Sequence, residues 1–224
     1  METNQIASRD LGMLERLRRL YPAVVSDCLD RMGYRQQVMR PHIRPLYPKA
    51  KLAGFAMTVH CIETNALPAS QDDYYKGELQ AVDSLRNGDV MVVSTCNGSY
   101  WGELLATASR YRGAVGLVAD AFTRDTDRLI EMEFPTFVAG ISAYDSLGRI
   151  DVDQVQIPIE CGGVLVKPED LVLADFDGVA VVPAEVAEEA ITRAEEKVSG
   201  EDLVRGKLAE GMPVSEAFRT YGVI

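Results

Sequence analysis

The sequence contains little of what several common functional sites require. Its 224 residues include only two histidines and four cysteines, and no two cysteines form a CxxC pair. Protein zinc sites are usually built from closely spaced cysteines and histidines, so nothing in this pattern indicates one. We therefore interpret the cysteines as small buried residues of a protein in a reducing compartment, at positions Cys28, Cys61, Cys96 and Cys161.

Long apolar runs and an excess of positive charge are also missing. No apolar segment approaches the roughly 20 residues of a membrane-spanning helix, and the N-terminal segment METNQIASRDLGMLERLRRL lacks the apolar core of a signal peptide. The formal net charge is −11 at pH 7, which disfavours binding to nucleic-acid phosphates or to an anionic membrane surface. The sequence therefore predicts a cytoplasmic protein that binds neither nucleic acid nor membrane.

The composition that remains is that of an ordinary globular protein, with 47% hydrophobic and 25% charged residues. The length fits one domain, and no repeat or long linker divides the chain. We predict a single domain over residues 1–224, with a helical C-terminal region from about residue 184.

The middle of the chain alternates buried strands with amphipathic helices. Val90–Ser94 and Ala114–Ala119 read as buried strands on either side of a helix at Glu103–Tyr111, and Pro135–Ala139 reads as a third strand. Strand, helix and strand within so short a stretch predict a parallel βαβ unit. From Ile150 to Pro183, short β-rich segments separated by turn residues predict antiparallel hairpins. The predicted fold class is therefore α/β, with a mixed sheet, a parallel βαβ core and antiparallel C-terminal hairpins.

One edge of this predicted sheet collects residues that suit an anionic ligand. The loop after the first βαβ strand leads through Gly98 and Gly102 into the helix that begins at Glu103, and the loop after the second carries Arg124 and Asp125. Both loops should lie at the same edge. The helix start offers unpaired N–H groups to a carboxylate, and the glycines let a ligand approach the backbone. The arginine fork suits a carboxylate or an enolate, the aspartate suits Mg²⁺ or Mn²⁺, and the glutamate suits a bound water or proton transfer.

Simpler interpretations exist for each residue taken alone. An Arg124–Asp125 pair is commonly a surface ion pair that contributes little stability. An acid at position 103 is favoured by the dipole of the helix that it begins. The acidic pair Asp175 and Asp177, in ADFDG, is interpreted as a hairpin turn. Only the predicted convergence of the first three residues favours a functional site.

Several segments resemble the RraA-like aldolase family, which includes the class II pyruvate aldolases acting on 4-hydroxy-4-methyl-2-oxoglutarate and 4-carboxy-4-hydroxy-2-oxoadipate. They are VVSDCLDRMG, LAGFAMTV, WGELLATA, VADAFTRDTDRL, FPTFVAGISAYDSLGR and GGVLVKPEDLVLADFDGVAVVP. The resemblance covers nearly the whole chain. It implies a layered β/β/α domain that assembles as homotrimers, often stacked into homohexamers.

The resemblance also implies roles for the clustered residues. The backbone from Gly102 through Leu104 and Leu105 would bind the pyruvyl carboxylate, and Arg124 would contact the pyruvyl oxygens. Asp125 would hold a divalent cation, Mg²⁺ or Mn²⁺, partly through water. Glu103 would position a catalytic water.

The resemblance also implies a role for a further acid, and the chain departs from the family pattern in one segment. A neighbouring subunit of the family can contribute a C-terminal acid, for which Glu201 is the candidate here; a solvated acid at a helix start after Gly200 is the alternative. Where the family often has a GDN-like segment, this chain has SQDDYYKGE, so Asp72, Tyr74 and Tyr75 could shape a different pocket for the distal half of the substrate.

The implied activity is metal-dependent retro-aldol cleavage of a 4-hydroxy-2-oxo dicarboxylic acid to pyruvate, with oxaloacetate decarboxylation as an accompanying reaction. Both proceed through a pyruvate enolate that the metal and Arg124 would stabilise. No lysine occurs between residues 77 and 166, which agrees with a mechanism without a Schiff base. The alternatives are a lyase acting on another 2-oxo or hydroxy acid, and a ribonuclease E regulator, a protein-binding role known in this family. An intact set of Glu103, Arg124 and Asp125 favours an enzyme.

Overall fold

The computed structural model describes residues 9–223. Its helices are α1 (Leu11–Arg18), α2 (Pro22–Arg31), α3 (Lys76–Asp83), α4 (Glu103–Tyr111), α5 (Thr126–Glu131), α6 (Ala187–Ala209) and α7 (Val214–Tyr221). Its strands are β1 (Arg44–Pro45), β2 (Leu52–Glu63), β3 (Asp89–Val93), β4 (Ser99–Trp101), β5 (Gly116–Thr123), β6 (Thr136–Ile141), β7 (Ile150–Val155), β8 (Ile159–Cys161), β9 (Val164–Val166), β10 (Leu171–Ala174) and β11 (Val179–Val182). None of the helices between residues 9 and 223 has the length and apolar character that crossing a bilayer requires.

Within these residues, nine strands form one mixed sheet. Its main order is β1-β6-β5-β3-β2-β10-β11, with β4 added beside β5 and β7 beside β2; β8 and β9 form a separate hairpin. The central strands β2, β3, β5 and β6 are parallel neighbours, as expected for βαβ units whose crossover helices return the chain to the same edge. The antiparallel hairpin β10–β11 is confirmed, and Asp175 and Asp177 lie in its turn.

Burial on both faces explains the composition of the central strands. Every residue of β3 is buried, and so is every residue of β10 and of β11. Apart from Asp89 at the start of β3, these strands are therefore continuous apolar runs without polar alternation. One core lies between the sheet and helices α3, α4 and α5. Two others fill the space beneath the β8–β9 hairpin and beneath α1, α2 and α6. This layering agrees with the predicted β/β/α architecture.

The structure differs from the sequence prediction in three places. The loop CNGSYWG contains the short strand β4, which pairs with the end of β5. Residues 72–85, whose sequence predicts one continuous helix, instead form a single 3₁₀ turn at Gln71–Asp73 followed by α3. The C-terminal helix continues to Ala209 through Gly200, because its buried apolar residues on one face outweigh the weak helix propensity of glycine. All four cysteines are buried and free.

Candidate active site

Strand β4 brings the two predicted site segments together. It runs parallel to the end of β5, with Trp101 opposite Thr123. The Trp101 carbonyl oxygen accepts hydrogen bonds from the Arg124 N–H at 2.9 Å and from the Thr123 hydroxyl at 3.0 Å. The residues that follow each strand, Gly102 and Arg124, are therefore held side by side. The predicted meeting of the two loops at one sheet edge is confirmed.

The start of α4 faces Asp125 directly. The Glu103 N–H donates to Asp125 Oδ2 over 3.2 Å, so this carboxylate caps a helix on a different segment of the chain. Gly102 makes the approach possible, since a Cβ at this position would lie 2.7 Å from Asp125 Oδ2. Among the described residues, the next two amides, of Leu104 and Leu105, have no hydrogen-bond partner in the protein. Two free N–H groups at a helix start form a site for an anion.

Arg124 lies between two carboxylates. Its Nη1 is 3.3 Å from Asp145 Oδ1, and its Nε is 3.9 Å from Asp125 Oδ2. Asp145 also accepts a 2.5 Å hydrogen bond from the Tyr75 hydroxyl. Tyr75 and Asp125 both adopt the left-handed conformation, each with φ of +57°, which is uncommon outside glycine and most costly for a bulky side chain such as tyrosine. The surrounding structure thus holds both residues in place.

These groups line a cavity of about 300 Å³. Its polar wall includes Arg124, Asp125, Asp145, Ser146 and Glu78, and its remaining lining residues are Tyr75, Leu79, Ser99, Tyr100, Trp101, Gly102, Leu104 and Leu105. A larger groove of about 1000 Å³ lies beside α2 and α6. We place the candidate site in the smaller cavity because the free amides of Leu104 and Leu105 converge there with Arg124 and Asp125.

Three predicted site features lie elsewhere or serve another purpose. The Glu103 carboxylate does not line the cavity and accepts a 3.0 Å hydrogen bond from Thr107 on its own helix. Gly98 makes room for Ile150, which a Cβ at this position would meet at 2.5 Å, so its expected role beside a ligand is replaced by packing. Tyr75 alone of the three residues Asp72, Tyr74 and Tyr75 reaches this cavity.

Glu201 lies within α6, where it accepts a hydrogen bond from the Tyr21 hydroxyl and is 3.5 Å from Lys197 Nζ. It does not line the cavity of its own chain. The alternative of a helix-start acid is wrong, because α6 begins at Ala187 and passes through Gly200 without a break. A contribution from a neighbouring subunit stays a prediction.

The acids of the cavity wall have opposite electrostatic environments. Burial acts to raise the pKa of Asp145, but the Tyr75 hydroxyl and Arg124 outweigh it and hold that pKa below its usual value. Burial raises the pKa of Glu78 to about 7; the Ser146 side chain and Arg124 act in the other direction, and the charges of Asp145 and Asp151 add to the increase. Near neutral pH, Asp145 is thus kept ionised, whereas Glu78 is present in both its protonated and its ionised form.

The sequence analysis missed Glu78, Asp145 and Ser146. Glu78 lies on α3, which packs tightly against β7 because Gly77 has no Cβ to collide with the Val152 carbonyl. The available signal was weak: an acid that falls on the buried face of an amphipathic helix. Asp145 and Ser146 lie in the loop between β6 and β7, whose path no periodic pattern indicates.

The side chains around the cavity offer few protein ligands to a divalent cation. Asp125 is the carboxylate beside the free amides, and within residues 9–223 no group of three acidic, histidine or cysteine side chains converges as a cation cage. Mg²⁺ commonly takes one or two carboxylates and completes its shell with water and substrate oxygens. The residues therefore fit a cation held mainly through water and substrate, and they do not fit a closed all-protein site.

Comparison with known proteins identifies the family to which the chain belongs. The family profile described as RraA-like (Aldolase/RraA) matches residues 22–181, and the chain belongs to the RraA-like family. A protein of Halalkalibacterium halodurans with the provisional name 4-hydroxy-4-methyl-2-oxoglutarate aldolase is 24% identical over 216 residues, which covers 95% of this chain and 96% of that protein.

Solved structures share the fold over most of the chain. An uncharacterized protein from Pseudomonas syringae pv. tomato matches with a TM-score of 0.84 and 26% identity, covering 98% of this chain and 99% of the other. Streptomyces coelicolor RraAS2, described as an unusual member of the RNase ES inhibitor RraA protein family, matches with a TM-score of 0.74 and 26% identity, covering 88% and 97%. The relatives therefore include proteins named for catalysis and for regulation.

Proposed function

We propose that the chain is a divalent-metal-dependent pyruvate aldolase that cleaves a 4-hydroxy-2-oxo dicarboxylic acid of the 4-hydroxy-4-methyl-2-oxoglutarate type to pyruvate. The observation that carries this proposal is the convergence of the free amides of Leu104 and Leu105 with Arg124 and Asp125 around one cavity. A surface ion pair would need neither the free amides nor the cavity. The provisional name of the Halalkalibacterium relative supports the same substrate class.

The chain's own residues would act on the two ends of a pyruvyl group. The amides at the start of α4 bind its carboxylate, aided by the positive end of the helix dipole. Arg124 lies where its guanidinium can donate to the carbonyl oxygen, which becomes the negative oxygen of an enolate when the C3–C4 bond breaks. Donors that are already in place stabilise such developing charge without reorganisation.

Asp125 would hold the cation, which supplies Lewis-acid polarisation of the carbonyl when it is bound. Its carboxylate is 45% exposed in the side chain and accepts one backbone N–H, so it keeps oxygen lone pairs for a ligand. Glu103, one residue past Gly102, is proposed to position a water, with its carboxylate turned from Thr107 towards the cavity. The same enolate chemistry would give oxaloacetate decarboxylase activity.

The site is proposed to be completed in a homotrimer or homohexamer, with Glu201 contributed by a neighbouring subunit. Leu104 is 77% exposed although it adjoins the cavity, as expected if another chain covers it. Light scattering coupled to size-exclusion chromatography measures the assembly directly. A monomer with full activity would contradict this part of the proposal.

The test of catalysis is pyruvate release from 4-hydroxy-4-methyl-2-oxoglutarate and from oxaloacetate with Mg²⁺, then with a chelator, then with Mg²⁺ or Mn²⁺ restored. We expect release that stops with the chelator and returns with metal. Binding offers an independent measurement, because Trp101 is the single tryptophan of the chain and lines the cavity. Pyruvate with Mg²⁺ should therefore change the intrinsic fluorescence.

A second candidate function is regulation of ribonuclease E, which the structural likeness to RraAS2 favours. Fold alone cannot distinguish the two functions. Absence of pyruvate release from every donor, together with tight binding to ribonuclease E, would support the regulator and contradict the aldolase.

A further inference from the structure

Glu78 is a buried acid in the wall of the cavity to which the sequence assigned no role. It lies on α3, is 4% exposed and lines the same space as Arg124, Asp125 and the start of α4. With Tyr75 it also lines a second cavity of about 300 Å³, which is bordered by residues 64–68 and 147–151. Glu78 therefore borders both spaces.

The other two acids of this wall are already occupied. Asp125 accepts the Glu103 N–H and faces Arg124. Asp145 accepts the Tyr75 hydroxyl and pairs with Arg124. Glu78 forms no ion pair with a basic side chain in the part of the chain that the structure describes. Of the acids that line the cavity, Glu78 is therefore the one that is free to bind and release a proton.

Charges that face Glu78 from the surrounding elements favour its protonated form. Asp145, in the loop before β7, and Asp151, on β7 itself, oppose ionisation, while Arg124 at the end of β5 favours it. The Tyr75 hydroxyl, at the start of α3, donates its hydrogen bond to Asp145 and therefore does not stabilise the ionised form of Glu78. With burial as the largest effect, the pKa of Glu78 is about 7, so both forms are populated near neutral pH. Neighbouring acids with pKa values pushed apart are a common basis for dividing acid and base roles.

We propose that Glu78 is the catalytic acid–base of this site, exchanging a proton with the substrate at the C4 hydroxyl and at C3. The proposal depends on the function proposed above. In cleavage, the Glu78 carboxylate takes the hydroxyl proton, the oxygen forms a carbonyl at C4, and the C3–C4 bond breaks. The bonding pair becomes that of the pyruvate enolate. Glu78 then returns the proton to C3, which gives pyruvate and leaves no net change in the enzyme.

The experiment compares wild type with Glu78→Gln, which keeps the shape of the side chain and cannot titrate. With Mg²⁺ and pyruvate in D₂O, NMR follows deuterium entry into the pyruvate methyl group, a measure of proton transfer at C3 that does not require C–C cleavage. We expect Glu78→Gln to lower this exchange and kcat by about 100-fold or more, with little change in KM. The exposed α5 acid in Glu131→Gln is the matched control and should behave as wild type.

A pH profile provides a measurement that a purely structural role would not change. In a plot of log kcat against pH, wild type should show a titration limb near neutral pH. This limb should be absent in Glu78→Gln. Ser146→Ala leaves the acid in place but removes a side chain that lowers its pKa, so the same limb should move to higher pH. Glu78→Asp, with a shorter reach, should keep the limb at reduced kcat.

The outcomes separate this inference from the proposed function. If Glu78→Gln exchanges deuterium at the wild-type rate and keeps the same pH limb, the role of Glu78 is overturned while the aldolase proposal stays intact. No exchange and no pyruvate release by wild type itself would overturn the aldolase proposal, and the Glu78 role with it. Should Glu78→Gln fold poorly, the shift of the limb in Ser146→Ala decides: a limb that stays in place would contradict the assignment.

Discussion

Two carboxylates, one within strand β5 and one just after it, have different numbers of hydrogen-bond donors around them. Asp120, within the strand, accepts hydrogen bonds from the Thr95 hydroxyl at 2.5 Å, the Gly162 N–H at 3.2 Å and His42 Nε2 at 2.8 Å. Asp125, just past the end of the strand, accepts the Glu103 N–H. Their side chains are 9% and 45% exposed. One carboxylate is fully used by the fold, and the other retains capacity for a ligand.

The difference lies in how many internal donors surround each carboxylate. Asp120 ties the segment before β1, the loop after β3 and the β8–β9 hairpin to the central sheet, so its hydrogen bonds hold three elements together. A carboxylate with few internal donors contributes little to the fold and can bind a cation or proton instead. The comparison predicts that changes at Asp125 affect function, whereas changes at Asp120 affect stability.

The largest effect is expected from Asp125→Ala. Loss of the proposed metal ligand should reduce pyruvate release by about 1000-fold and abolish the fluorescence change of Trp101 on addition of Mg²⁺ and pyruvate. The thermal unfolding midpoint should change little. Asp127→Ala, an exposed acid in the same TRDTD segment, is the control and should keep activity. If Asp125→Ala unfolds while Asp127→Ala stays folded, Asp125 has a structural role like that of Asp120.

Arg124→Lys should give the second largest effect. A lysine preserves the positive charge but cannot bridge Asp145 and a substrate oxygen with one planar group, so kcat should fall by about 100-fold. The steady-state rate and the affinity for pyruvate measure this directly. Arg128→Lys, on the exposed side of α5, should have no effect. A wild-type rate in Arg124→Lys would remove the guanidinium from the mechanism.

Asp120→Asn should lower stability and leave the specific activity of the folded protein unchanged. Replacing a buried carboxylate that accepts three hydrogen bonds should cost about 2 kcal/mol in the free energy of unfolding, measured by urea denaturation. The matched control is Asp153→Asn, which removes the partner of His60 in a more exposed pair and should cost well under about 1 kcal/mol. Equal losses in the two variants would show that burial does not distinguish these pairs.

Much of the candidate site could be predicted because its residues follow periodic strands. The parallel order of β3, β5 and β6 is encoded in short buried runs, and that order alone places the residues after each strand at one edge. Arg124, Asp125 and the start of α4 were found in this way. The strand β4 was missed because SYW is too short for alternation to be visible, although it is what sets Gly102 against Arg124.

The other wall of the cavity could not be predicted, because it depends on tertiary contacts. Tyr75 reaches Asp145 only because the chain turns through a left-handed conformation before α3. Glu78 is buried only because Gly77 allows α3 to contact β7. Asp120 likewise reads as one polar residue in an apolar strand until the hairpin and the segment before β1 close over it.

The smallest predicted effect is the pH dependence of the Asp120 contribution. Burial opposes ionisation of this acid, but Thr95, His42 and the Gly162 N–H prevail and lower its pKa in the folded protein. A group with a lowered folded pKa stabilises the fold above its unfolded pKa, and this contribution is lost as the pH falls through the folded value. The difference in unfolding free energy between wild type and Asp120→Asn should therefore be complete above about pH 5 and decrease towards about pH 3. Urea denaturation at several pH values measures it, and a difference that grows with acid would contradict the assigned direction.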